Sequence, residues 1–235
     1  MTASDVLNEL KLLGSASIKK VLLKHGVKEP FFGVKIGDMK KIQKRIKRDY
    51  QLALDLYDSG NCDAMYLAGL IADDTRMTKQ DLQRWVAKAY CGLLAGSTVP
   101  WVAAGGRHGW ELAQEWIESK QEFVAAAGWA TLITLVAIKD DAELDLAELK
   151  RLLRRVQKTI HKSPDYVRCQ MNMFVIAVGC YVKPLTDVAM QIGDKIGPVT
   201  ADLGDNACQV PFAPDYIQKV MKRGTIGKKR KTAKC

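Results

Sequence analysis

Phe31-Phe-Gly-Val-Lys-Ile-Gly-Asp-Met-Lys-Lys-Ile-Gln-Lys-Arg-Ile-Lys-Arg-Asp-Tyr50 runs into Gln51-Leu-Ala-Leu-Asp-Leu-Tyr-Asp-Ser-Gly60 and Asn61-Cys-Asp-Ala-Met-Tyr-Leu-Ala-Gly-Leu-Ile-Ala-Asp-Asp74. Pro30, Gly33 and Gly37 mark a loop over 26–37. The spacing of Met39, Ile42 and Ile46 then predicts a helix from Asp38 to Arg48 with one apolar stripe. Its other face is basic: Lys40, Lys41, Lys44, Arg45, Lys47 and Arg48. Helices at about 50–59 and 61–73 follow, separated by Ser-Gly and ended by Asp73-Asp74-Thr75.

That hairpin recurs. Leu52-Ala-Leu-Asp-Leu-Tyr-Asp-Ser aligns without a gap on Leu112-Ala-Gln-Glu-Trp-Ile-Glu-Ser. Both octets begin Leu-Ala, carry an acid at the fourth place and end acid-Ser, and each precedes an alanine-rich helix. A weaker third copy spans His161 to Val178. Hairpins that bury a face only on their neighbours stack into a solenoid, whose second helices line the concave side. The expected fold is therefore all-α, a HEAT-like or armadillo-type solenoid with a concave basic face. One domain covers 1–223, and a basic tail covers 224–235. An irregular helical bundle is the alternative.

The rest of the chain fits the same pattern. Helices are expected through Leu13 and His25, after the Thr78 cap, at 110–118, 121–138, 146–161, 164–181, 185–196 and 212–223. The small-residue run 91–109 predicts short or broken helices. No strand is expected.

The net charge of +10 and pI of about 9.3 favour a polyanionic partner. The six cysteines form no CxxC pair, so zinc spacing is absent. Cys62, Cys169 and Cys180 read as small hydrophobes in a reducing cytoplasm. No signal peptide or membrane span is expected, and no cofactor or metal is called for.

Phe32-Gly-Val-Lys-Ile with the basic helix, the Leu52–Ala72 hairpin, and Trp116-Ile-Glu-Ser followed by Phe123-Val-Ala-Ala-Ala-Gly-Trp resemble the DNA alkylation repair family, the AlkD-like helical-repeat DNA glycosylases. The resemblance covers about residues 20–190. It implies DNA in a concave groove and release of N3- or N7-alkylated purines without base flipping. It also implies a catalytic Asp, Arg and cleft aromatics. Here the sequence departs from the family: Ala126 stands at the arginine position and Gly96 at the acid position. From Leu82 to Trp110 there is no Asp or Glu at all. The carboxylate that would stabilise an oxocarbenium-like transition state is absent from this region.

Three groups are candidates for contact with nucleic acid. Lys35, Lys40, Lys41 and Lys44 read as phosphate contacts, or else as a solvated helix face. The tail cations Lys228, Lys229, Arg230 and Lys231, with Lys222, Arg223 and Lys234, read as an arm on DNA or a solvated terminus. Arg107 and His108, with Trp101 and Trp129, could line a cleft; core packing is the alternative for each Trp. Cys208 with Asp202, Asp205 and Asn206 reads as a loop. The expected partner is double-stranded DNA, damaged or branched, bound by a monomer. The alternatives are an excising enzyme with a modified site and a solenoid that binds a peptide.

Overall fold

The computed structural model describes residues 1–205 and 209–234; the readings at Asn206, Cys208 and Cys235 lie outside them. Among the described residues thirteen α-helices follow one another, with no strand beyond one antiparallel bridge between Gly14 and Val34. They begin with α1 (Ala3–Leu12), α2 (Ala16–Lys24) and α3 (Ile36–Ile46). The helix α3 starts and stops two residues earlier than its charge pattern suggests. Lys47, at φ 65°, turns the chain out of the helix, so Lys47 and Arg48 lie beyond its end.

The hairpins come next: α4 (Tyr50–Asp58) with α5 (Cys62–Ile71), α6 (Lys79–Lys88) with α7 (Val99–Gly105), and α8 (Gly109–Trp116) with α9 (Glu122–Ile138). They continue with α10 (Leu146–Thr159), α11 (Asp165–Tyr181), α12 (Thr186–Ile196) and α13 (Ala213–Lys222). Helices α5, α7, α9, α11 and α13 form the inner layer, with α3 beside α5 at its start; α4, α6, α8, α10 and α12 form the outer layer.

The two octets share one burial register. Their first, second, fifth and sixth residues are buried, and the acids at the fourth and seventh places are exposed. Each closing serine makes the same turn. Ser59 Oγ accepts from the Asn61 amide at 3.3 Å, and Ser119 Oγ accepts from the Gln121 amide at 3.1 Å. The third copy is placed differently from the expectation. Ile160–Lys162 is a short 3-10 turn at the end of α10, so the third copy of the repeat belongs to the hairpin of α10 with α11. The broken stretch at 91–109 resolves into a π-helical turn, Leu94–Thr98, that runs into α7. The wide turn precedes Pro100, which has no N–H to give. Cys62, Cys91 and Cys180 are buried free thiols, and Cys169 is half-buried.

One buried carboxylate locks the N-terminal helices to the stack. Asp63, in the first turn of α5, accepts from the amides of Phe32 at 2.6 Å, Gly33 at 3.0 Å and Val34 at 3.0 Å. The loop must come close for this to happen. Gly33 lies at φ 79°, and a Cβ there would stand 2.6 Å from the Lys19 amide nitrogen.

The tail is a strap, not a free arm. Gly227 N–H donates to Cys180 O of α11 at 2.8 Å, and Arg230 N–H to Ala137 O of α9 at 2.7 Å. Lys229 Nζ reaches Val136 O at 2.9 Å and Asp141 at 2.8 Å. Lys234 Nζ reaches Ala72 O, after α5, at 2.7 Å and Asp74 at 2.8 Å. The strap thus crosses the C-terminal ends of three inner helices, where unpaired carbonyls and the helix dipole favour a cation. Burial pushes the Asp74 carboxyl up and the Lys234 ammonium down, against their mutual attraction.

Two substitutions measure these locks. Asp63→Ala leaves three loop amides without an acceptor and is expected to cost about 3 kcal/mol or more in urea unfolding. Lys234→Ala strands a buried carboxylate and is expected to cost about 3 kcal/mol. Adding Asp74→Asn to Lys234→Ala recovers part of that loss, whereas additive losses in the double variant would contradict the coupling.

Candidate nucleic-acid interface

Two glycines fix which residues face the concavity. At Gly128, an added Cβ would stand 2.7 Å from the Ile117 amide nitrogen and 3.0 Å from Ala113 O of the outer helix α8. Gly128 therefore points outward. At about 100° per residue, Ala126, Ala130, Ile133 and Ala137 point the opposite way, into the groove. Gly179 likewise closes on Ile217 and Ala189. This turns Tyr166, Gln170, Met173, Ala177 and Tyr181 of α11 into the groove.

At the N-terminal ends of these helices, the groove floor is filled. A Cβ at Gly92 would stand 2.5 Å from Tyr166 Cε1, and one at Gly96 would stand 3.2 Å from Gln170 Nε2. Tyr166 also packs on Phe123, with ring centroids 4.9 Å apart, and its hydroxyl donates to Leu203 O at 3.4 Å. Burial holds that hydroxyl above its usual range. Val21, Leu22 and His25 of α2 close the other side of a mostly apolar hollow of about 390 Å³. Gly96 and Ala126 thus lie where neutral side chains already occupy the floor, and Ala126 is buried. Among the described residues that line this hollow there is no carboxylate and no arginine to stabilise a developing sugar cation.

The cations of α3 are not equivalent. Arg45 pairs with Glu9 of α1, on the side away from the groove. Lys41 pairs with Asp38 at 2.8 Å and holds that carboxyl below the usual range. Lys40, half-buried, and Lys44, exposed, have no carboxylate partner among the described residues. Lys35, exposed at the start of α3, has none either, and the Asp63 clamp on Val34 holds its backbone in place. Lys47 and Arg48 border a hollow of about 380 Å³ with Thr232 and Lys234, next to the strap. In the tail, Lys228, Arg230 and Lys231 are exposed, whereas Lys229 is committed to Asp141.

The grouping of Arg107, His108, Trp101 and Trp129 is not assembled. Trp101 is 6% exposed and meets Tyr66 edge-on at 5.5 Å between α5 and α7. Trp129 is fully buried against Phe174 at 5.3 Å, with the Arg155 guanidinium 5.8 Å from its ring centroid. Both are core residues because they point between helices, not into the groove. Arg107 and His108 occupy the turn after α7. There Arg107 Nε donates to His108 Nε2 at 3.2 Å, and His108 lies 3.9 Å from Glu111. The aromatic groups that do reach the groove are Tyr166, Tyr181 and Tyr216. Sequence reasoning passed over them, although the 166, 170, 173, 177, 181 spacing on α11 is a helical stripe and could have found two of them.

Comparison with known proteins agrees with this geometry. A family model described as DNA alkylation repair enzyme matches residues 6–190. The uncharacterized proteins Lmo0209 of Listeria monocytogenes and Lin0241 of Listeria innocua are 29% and 28% identical to the chain. Each match spans 95% of this chain and 99% of the relative. A solved structure from a new family of proteins related to the HEAT-like repeat DNA glycosylases, with affinity for branched DNA structures, is 35% identical over all of both chains, with a TM-score of 0.93. With the inner and outer helical layers and the repeated hairpin register in place, the chain belongs to the DNA alkylation repair enzyme family.

Proposed function

We propose that this chain binds double-stranded DNA, with preference for branched forms, on its concave face as a monomer. In this reading it does not excise alkylpurines by the acid-and-arginine chemistry of its family. The observation that carries the second part is Gln170 over Gly96. A neutral amide fills the space beside the position where a carboxylate is expected. Binding is supported by the net charge of +10 and by Lys35, Lys40 and Lys44 on one flank with Lys228, Arg230 and Lys231 on the strap. It is further supported by the affinity for branched DNA of a relative alike over its whole length. These cations position phosphates and do not read sequence.

A titration on a four-way junction and on a linear duplex of equal length tests the proposal. About six phosphate contacts predict an affinity loss on the order of a thousandfold between about 50 and 200 mM salt. Lys40→Ala with Lys44→Ala should lower affinity for both DNAs and flatten the salt slope by about two contacts' worth. No release of 3-methyladenine or 7-methylguanine above background is expected from alkylated DNA. Salt-independent binding would contradict the phosphate reading, and base release would contradict the loss of excision.

A further inference from the structure

The C-terminal half of the groove differs from the filled half. Between α9, α11, α13 and the strap lies an open depression of about 480 Å³. This is the size of a small-ligand site. Its floor is apolar, with Ile133 and Ala137 of α9 beside Met173 and Ala177 of α11. Its walls are Tyr181 and Tyr216, and Tyr216 is 44% exposed, unusual for a tyrosine with no core role. Its rim is cationic, formed by Lys228 and Arg230, and no carboxylate lines it. The backbone of Arg230 is fixed to Ala137 O and the neighbouring Lys229 to Asp141, so the strap holds the rim charges over the apolar floor.

An apolar floor with aromatic walls and a fixed cationic rim matches an anionic chain that carries flat apolar rings. Paired duplex bases are stacked inward and cannot reach such a floor, but an unpaired nucleotide can. Resting on the branched-DNA reading above, we infer that this depression takes an unpaired nucleotide at a DNA branch point. Its base lies against Tyr216 and the Met173–Ala177 floor, and its flanking phosphates lie on Lys228 and Arg230. The depression would thus add affinity for branches that carry an unpaired nucleotide to the affinity that the α3 flank and the strap cations give for all DNA. No bond is made or broken.

The test uses a three-way junction with 2-aminopurine at the unpaired branch position, beside a linear duplex. Wild-type protein should change the 2-aminopurine emission on binding. Tyr216→Ala should lower junction affinity by about tenfold, with linear-duplex affinity within twofold of wild type, and Arg230→Ala should lower affinity for the junction several-fold more than for the duplex. Arg230→Ala keeps the backbone bond to Ala137, and thermal unfolding of both variants should match wild type. Equal losses on both DNAs, or unchanged emission with wild-type protein bound to the junction, would overturn the assignment. So would full junction affinity in Tyr216→Ala. Failure of wild-type protein to bind either DNA would instead remove the parent reading. Displacement of the junction from this site by an acidic amphipathic peptide, with no 2-aminopurine response, would assign the depression to a protein partner and overturn the inference.

Discussion

Three amides of the 31–34 loop converge on the Asp63 carboxylate, and the rest of the basic flank depends on that convergence. Beside it, α1 to α3 meet the stack through side-chain packing and a few single hydrogen bonds, among them Cys62 N–H to Pro30 O at 3.0 Å and Gln43 Nε2 to Leu70 O at 3.2 Å. With the clamp, α3 sits against α5 in a fixed rotation. Met39 and Ile42 go into the core and Arg45 toward α1, while Lys40 and Lys44 meet no carboxylate among the described residues. A glycine at position 33 is required because its backbone passes within contact of α2 at positive φ. One anionic side chain thus determines which lysines are free to meet a phosphate and which are consumed internally. The strap applies the same physics at the opposite end. Lys229 and Lys234 spend their charge on helix ends and on Asp141 and Asp74, while Lys228, Arg230 and Lys231 keep theirs.

The groove is shaped by small residues. Glycines at 69, 92 and 128 let inner helices and side chains approach to distances a Cβ would forbid, and at Gly96 a Cβ would press on the Gln170 amide at 3.2 Å. At Gly92 and Gly96 the room gained is taken by Tyr166 and Gln170 from two hairpins further on. The positions at which the resemblance implies an acid and an arginine, Gly96 and Ala126, are both neutral, which avoids leaving a single buried charge without a partner. In physical terms, aromatic and amide groups fill the floor beside a mostly apolar hollow at one end, and a second open apolar depression lies toward the strap.

Most of the scaffold was legible in the sequence because hairpin burial is periodic. The octets at 52–59 and 112–119 repeat in burial as in letters. The third hairpin was misplaced because its outer helix α10 is strongly amphipathic and shares no octet, so the eye fell on the 3-10 turn at its end. The ends of α3 were misjudged because charge continues through Lys47 and Arg48 after the helical backbone stops. The candidate site was less legible. Trp101 and Trp129 are aromatic and near Arg107 in the chain, but sequence proximity does not say which way a helix face points. The division of tail cations into structural and available ones was unreadable, since Asp74, Asp141 and the helix ends they meet lie far away in the chain. The absence of acids from 82–110, by contrast, needed no structure to see.

The most direct test of DNA on the concave face is lysine acetylation footprinting, read by mass spectrometry with and without a four-way junction. The account predicts protection of Lys35, Lys40, Lys44, Lys228 and Lys231, with Lys150 and Lys158 on the outer helix α10 acetylated equally in both samples. Protection of Lys150 and Lys158 with the α3 and strap lysines unprotected would contradict it.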